Sequence, residues 1–184
     1  MSPGYLLRPL DPGWTATIFL SSGSDADRLR DRVDMLVRTV STQFEIADSP
    51  FRFRIDRWED HAPQRAVTEN LNDEFVRCAK RSHLTLVLLL NEVRPGTREE
   101  IEGVLSETTT QLAVLRFKEE DGDEIDDEDL RKFLQANRKK FLYKEVAGPD
   151  SDEALQAIMM VLAQVVADVV TAWQAPEEPL SEER

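Results

Sequence analysis

From Leu84 to Leu90 the chain is apolar at every position except Thr85. A run of that length, bounded by polar residues, predicts a strand buried on both faces, as in a parallel sheet. Thr15 to Leu20 predicts an earlier strand after a lead-in containing Pro and Gly. Phe51 to Trp58 behaves differently, because it alternates as far as Asp56 and interleaves Arg52 and Arg54 with apolar residues. That is a strand with one wet face, and arginines on it discourage edge-to-edge pairing, so it suits a sheet edge. Gln111 to Phe117 and Lys140 to Val146 supply the fourth and fifth strands. Between the strands the apolar spacing changes to three and four. Leu29, Val33, Leu36, Val37, Val40 and Phe44 mark one helix; Val67, Leu71, Phe75, Cys78 and Ala79 mark the next. A helix is expected from Arg98 to about Thr108, a short one around Leu130, Phe133 and Leu134, and a long one from about Asp152 to Trp173.

Strands alternating with helices predict an α/β fold in three layers with a five-stranded parallel sheet. The wet second strand and the apolar first and third favour the order 2-1-3-4-5, in which strands one and three flank the switch point where ligands bind. The expected organisation is a lead-in over 1–13, one domain over 14–174 and a disordered acidic tail over 175–184.

At 184 residues, 41% hydrophobic and 32% charged, the chain fits one soluble globular domain. Its net charge of -13 argues against a nucleic-acid binder, which needs a basic face. A single cysteine, Cys78, excludes an internal disulfide. With no signal pattern at the N-terminus and no run long enough to span a bilayer, the expectation is a cytoplasmic protein without a membrane partner. His61 and His83 lack the spacing of a zinc site, and no metal is expected. Phosphate-loop and dinucleotide-binding glycine motifs are absent. The acidic run from Glu119 to Asp129 reads as a solvated loop.

The rim of the sheet would carry Ser21, Ser22 and Gly23 after strand one, Trp58, Glu59 and Asp60 after strand two, and Asn91, Arg94, Gly96, Thr97, Glu99 and Glu100 after strand three. Small residues, helix N-termini, a tryptophan for stacking and an acid for sugar chemistry together suit a nucleotide. Each has a plainer reading. Thr97-Arg98-Glu99-Glu100 fits a capping box, with Glu100 folding back to the helix start. Ser22 or Ser24 equally fits an N-cap, and Cys78 fits the core.

Ile18-Phe19-Leu20-Ser21-Ser22, Trp58-Glu59-Asp60 and Arg94-Pro95-Gly96-Thr97-Arg98-Glu99-Glu100-Ile101-Glu102 resemble a bacterial family of TIR-like domains, over about residues 15 to 117. Such domains often precede NTPases in signalling and defence proteins. A weaker resemblance extends to nucleoside deoxyribosyltransferases, which share Gly-Thr-x-x-Glu after the third strand. The resemblance implies a flavodoxin-like fold and N-glycosidic chemistry on NAD or another nucleotide, bound as substrate or ligand rather than as a resident cofactor. Glu100 matches the family's catalytic carboxylate, with Glu99 its nearest competitor. Ser21, Ser22, Gly23, Gly96 and Thr97 would hold phosphate or ribose, Trp58 would stack on the base, and Arg94 or Arg98 would pair with phosphate. The chain has Arg94 and Pro95 where the transferases have an acid, and no tyrosine in its first strand, which speaks against nucleoside transfer. Two readings follow: an NAD-cleaving hydrolase, or a non-catalytic interaction module that self-associates or recruits a signalling NTPase.

Overall fold

A computed structural model of the chain describes residues 14–23, 26–47, 51–57, 71–90, 92–106, 110–118, 125, 127–148 and 151–174. Its elements in order are β1 (Trp14–Ser22), α1 (Asp27–Ile46), β2 (Phe51–Asp56), α2 (Leu71–Arg81), β3 (Leu84–Leu89), α3 (Pro95–Leu105), β4 (Gln111–Lys118), α4 (Glu128–Asn137), β5 (Leu142–Ala147) and α5 (Asp152–Gln174). The sheet order is β2-β1-β3-β4-β5, and all four pairings are parallel. This is the doubly wound order of flavodoxin-like folds, with its switch point between β1 and β3.

The pattern of the sequence explains each position. β3 is buried at all six residues, as a central strand between two helical layers must be. β2 buries Phe53 and Ile55 and exposes Arg54, so its alternation marks the edge that the order confirms. One face of the sheet, with Ile18, Leu20, Leu86 and Leu115, packs against α1 and α5. The other face presents Val87, Leu89 and Val114 to α3 and α4, and Phe19 to α2 and α3. His83 locks the entry to β3: its Nδ1 accepts the Thr17 amide at 2.9 Å while its own amide donates to the Thr17 carbonyl at 2.9 Å. α2 and α3 cross closely at Gly103, where an added Cβ would lie 2.6 Å from Val76 Cγ1. Among the described residues no helix is long and apolar enough to cross a membrane.

Three local expectations need correction. α3 starts at Pro95 with Arg94 as its N-cap, so Thr97 is the third helical residue and no capping box forms with Glu100. Proline causes the difference: its fixed φ and missing N–H suit the first helical position, so it opens the helix instead of ending a turn. α1 is capped at Ala26 without a side-chain bond, so Ser22 is not its N-cap; Ser24 lies outside the described residues. The acidic run is not loop to its end. Asp127 caps α4 by accepting the Leu130 amide at 2.5 Å, Glu128 and Asp129 form the first turn, and Ile125 packs against the core. Residues 119–124 and 126, like 1–13 and 175–184, lie outside the described residues.

Candidate active site

β1 ends at the sheet's carboxyl edge with Ser21 and Ser22 pointing to opposite faces, as successive strand residues must. Ser21 shares the face of Phe19 and meets α3, where its Oγ donates to Glu100 Oε2. Ser22 shares the face of Leu20 and meets α1, where its Oγ accepts from Arg30 Nη1 at 3.2 Å. Gly23 follows, and its carbonyl accepts the Ala26 amide at 3.1 Å as the chain turns into α1. β1 therefore splits two adjacent hydroxyls between a carboxyl group on one side and a guanidinium on the other.

Around them lies a cleft of about 280 Å³. Glu100, Thr97, Gly96 and Arg94 line it from α3 and its N-cap; Ser22, Gly23 and Arg30 line it from β1 and α1. Asn72 and Phe75 of α2 close the remaining side. Thr97 and Glu100 are both buried, on one face at i and i+3. Arg30 is 3% exposed, and its Nη2 pairs with Asp27 at 2.5 Å. Arg94 stands at the rim, paired with Glu92.

Glu100 is the unusual group. Only 8% of it is exposed, and burial is the main reason its pKa rises from 4.5 to about 7. The Ser21 hydroxyl opposes that rise by stabilising the charged form, and the nearby charge of Glu99 reinforces it. A carboxyl group that titrates near neutrality can exchange a proton or act as a carboxylate under the same conditions. Released from capping duty, Glu100 accepts from Ser21, a buried serine at the end of β1 behind the cleft wall.

The sequence-expected residues divide cleanly. Ser21 joins Glu100 by hydrogen bond, and Ser22, Gly23, Arg94, Gly96 and Thr97 share the cleft with it. Arg98 does not: its guanidinium lies 5.3 Å over the ring of Phe133 on α4. Glu99 is exposed and does not line the cleft. Trp58, Glu59, Asp60, Asn91 and His61 lie outside the described residues. Arg30, Asn72 and Phe75 escaped sequence reasoning. The signal for Arg30 was available, since it falls three residues before Val33 and seven before Val37 on the buried side of α1.

Two other polar or hollow places lie away from this cleft. A larger cavity of about 470 Å³ sits at the opposite, amino-terminal edge, where Leu84, Gln111 and Leu142 begin their strands; no acid lines it. At the carboxyl ends of β4 and β5, buried Arg116 lies 3.6 Å from Glu145, which also meets Lys118 at 3.0 Å and accepts from the Tyr143 hydroxyl at 2.8 Å. Among the described residues no group of three or more His, Cys, Asp or Glu could hold a metal ion.

No family model matches this sequence, and no curated protein does. Solved structures show remote likeness. A CMP N-glycosidase from Clostridium botulinum aligns at 12% identity and a TM-score of 0.48, over 79% of this chain and 98% of that one. A flavodoxin from Streptococcus pneumonia aligns at 12% identity and 0.41, over 83% and 97%. A flavodiiron core from Synechocystis aligns at 13% identity and 0.47; 86% of this chain is covered, but it spans only 36% of that protein. At such distances the chemistry has to rest on the residues of this chain.

Proposed function

We propose that the cleft cleaves the N-glycosidic bond of a nucleotide, with NAD as substrate and Glu100 as the catalytic carboxylate. The observation that supports this most is that Glu100 is buried in the cleft, bonded to Ser21 and free of the helix cap. The resemblance to TIR-like domains favours NAD among nucleotides. In the reaction the bond between ribose C1′ and the nicotinamide nitrogen breaks, and the electron pair leaves with nicotinamide. Positive charge builds on the ribose, where a carboxylate beside C1′ stabilises or traps it. Water then bonds to C1′ and loses a proton, giving ADP-ribose.

The remaining residues take supporting roles. The Ser21 hydroxyl orients Glu100 and favours its ionised form. Ser22, Gly23 and Thr97 hold ribose or phosphate; Arg30 and Arg94 supply the positive charge for the pyrophosphate. Trp58 remains the proposed stacking partner for the base. Arg98, turned onto Phe133, is dropped from the phosphate role.

Nicotinamide release from NAD, followed at several protein concentrations, tests the proposal. Activity lost in Glu100→Gln and kept in Glu99→Gln supports it. A wild type that is inert throughout and binds no nucleotide leaves the non-catalytic interaction module as the reading. Cleavage that survives in Glu100→Gln keeps the enzyme and removes Glu100 from its centre.

A further inference from the structure

At the amino-terminal edge of the sheet the strands do not start together. β4 begins at Gln111, opposite Leu84 of β3, whereas β5 begins at Leu142, opposite Ala113. The first two residues of β4 therefore have no strand beside them on the β5 side. Gln111 donates its amide toward β3, to the His83 carbonyl at 3.1 Å. Successive strand amides point to opposite sides, so the Leu112 N–H is aimed toward β5, where the ladder ends before reaching it. A half-buried N–H ordinarily finds an acceptor. This one is a donor facing the cavity of about 470 Å³, which is lined on the β5 side by Lys139, Lys140, Phe141 and Leu142.

The rest of the lining fits one class of ligand. Leu84, Val104 and Val161 bring apolar surface from β3, α3 and α5, and no described acid joins them. Arg138-Lys139-Lys140 is the only run of three basic residues in a chain of net charge -13. Lys139 and Lys140 form no ion pair among the described residues; Lys140 Nζ donates to the neutral Asn137 side chain at 2.9 Å. Asp168 of α5, outside the lining, accepts from the side-chain amides of Gln111 and Gln164, the latter at 2.9 Å. Its carboxylate is thus engaged by the wall itself.

We propose that this cavity binds a small amphipathic anion, an apolar body ending in a carboxylate or a phosphate. The anionic head accepts from the Leu112 N–H and pairs with Lys139 and Lys140, while the body lies on Leu84, Val104 and Val161. A mostly apolar hollow with a few convergent polar groups is the usual form of a small-molecule site, and this volume lies within the usual range. Lysines meet such a head as point charges, so they take either kind. Ligands of open parallel sheets that undergo chemistry bind at the carboxyl ends of the strands, and this one would bind at the other end. The cavity shares no lining residue with the Glu100 cleft, so neither reading depends on the other.

Amide NMR of the full chain, titrated with octanoate and separately with octyl phosphate, tests the idea. Saturable shifts are expected with at least one of them, the Leu112 amide proton moving downfield as it gains an acceptor while Gly23 and Glu100 stay in place. The tighter of the two identifies the head group. Acetate, which lacks the body, and octylamine, which lacks the negative charge, should leave Leu112 unmoved. Replacing both lysines, Lys139→Gln with Lys140→Gln, should weaken binding about fivefold, the size expected for two exposed ion pairs. Gln164→Trp, which sets an indole against the cavity from an exposed position, should abolish it. Circular dichroism checks that these surface variants keep their fold. Silence at Leu112 with both anions overturns the proposal. So does octylamine binding as well as octanoate, or an affinity that the double lysine variant leaves unchanged.

Discussion

Replacing Glu100 with glutamine changes one atom in the cleft and should reverse the usual effect of altering a buried polar residue. In the folded protein the Glu100 pKa stands at about 7, against 4.5 for an unperturbed glutamate. A raised pKa means that the folded state prefers the protonated acid. Below about pH 4.5 both folded and unfolded chains are protonated, and the acid weakens nothing. As pH rises from there, the unfolded chain ionises freely while the folded chain resists, so stability falls until the folded group has ionised, above about pH 7. The difference of about 2.5 pH units, at 1.36 kcal/mol each, comes to about 3 kcal/mol. Glutamine is neutral throughout, and its Oε1 can still accept from Ser21. Urea unfolding of both proteins from pH 4 to pH 9 reads this directly. The two should be similar in stability at pH 4; at pH 8 and above the glutamine variant should be more stable by about 3 kcal/mol. A melting difference on the order of 10 °C would accompany it in a domain of this size. A difference that stays flat with pH, or a variant less stable at pH 8, would refute burial as the source of the shift.

The same titration would shape the proposed activity: the proposed reaction uses Glu100 ionised, so kcat/KM for NAD cleavage should rise through an apparent pKa near 7 and level off above it, and a rate that falls over that range would assign the carboxyl group an acid's role instead. Gly103→Ala should destabilise despite alanine's better helix propensity, since its Cβ would sit 2.6 Å from Val76 Cγ1; overpacking of this kind costs about 1–3 kcal/mol. Gly96→Ala is the control, with its nearest contact at 3.6 Å from Asn72, and thermal melts should show no comparable loss. Asp127→Ala should remove the α4 cap and about 1 kcal/mol in urea titration, whereas neutralising acids at 119–124 should leave the midpoint nearly unchanged.

Much of the fold was legible because burial leaves a periodic trace. The unbroken run of β3 and the alternation of β2 differ for a reason of position, and that difference gave the sheet order before any coordinates. Local chemistry was less legible. Thr97-x-x-Glu100 has the spacing of a capping box, but spacing cannot tell where a helix starts, and Pro95 moves the start three residues upstream. Glu100 does line the cleft, as its position after the third strand led one to expect, while its local role at the helix start was misread. Arg98 failed for a geometric reason: two residues before Glu100, it points about 200° around the helix, toward α4 and not the cleft. Arg30 was missed because a charge beside an apolar stripe looks like its solvated flank. Its spacing from Val33 and Val37 already put it on the buried side of α1, and packing sets its guanidinium beside Ser22.

The sheet order also governs how this chain must come together in time. Parallel neighbours cannot be joined by a tight turn, so every strand waits for an intervening crossover before it gains a partner. β1 waits longest for its second one. It lies between β2 and β3, and the contact of Thr17 with His83 spans 66 positions. A chain emerging residue by residue therefore carries β1, rich in apolar side chains, with one ladder edge open until β3 has been made. Loop closure on that scale slows folding and leaves an open strand edge exposed to other chains meanwhile. A fragment that stops after β2 would contain a correctly paired edge and still expose the surface that the finished sheet holds at its centre.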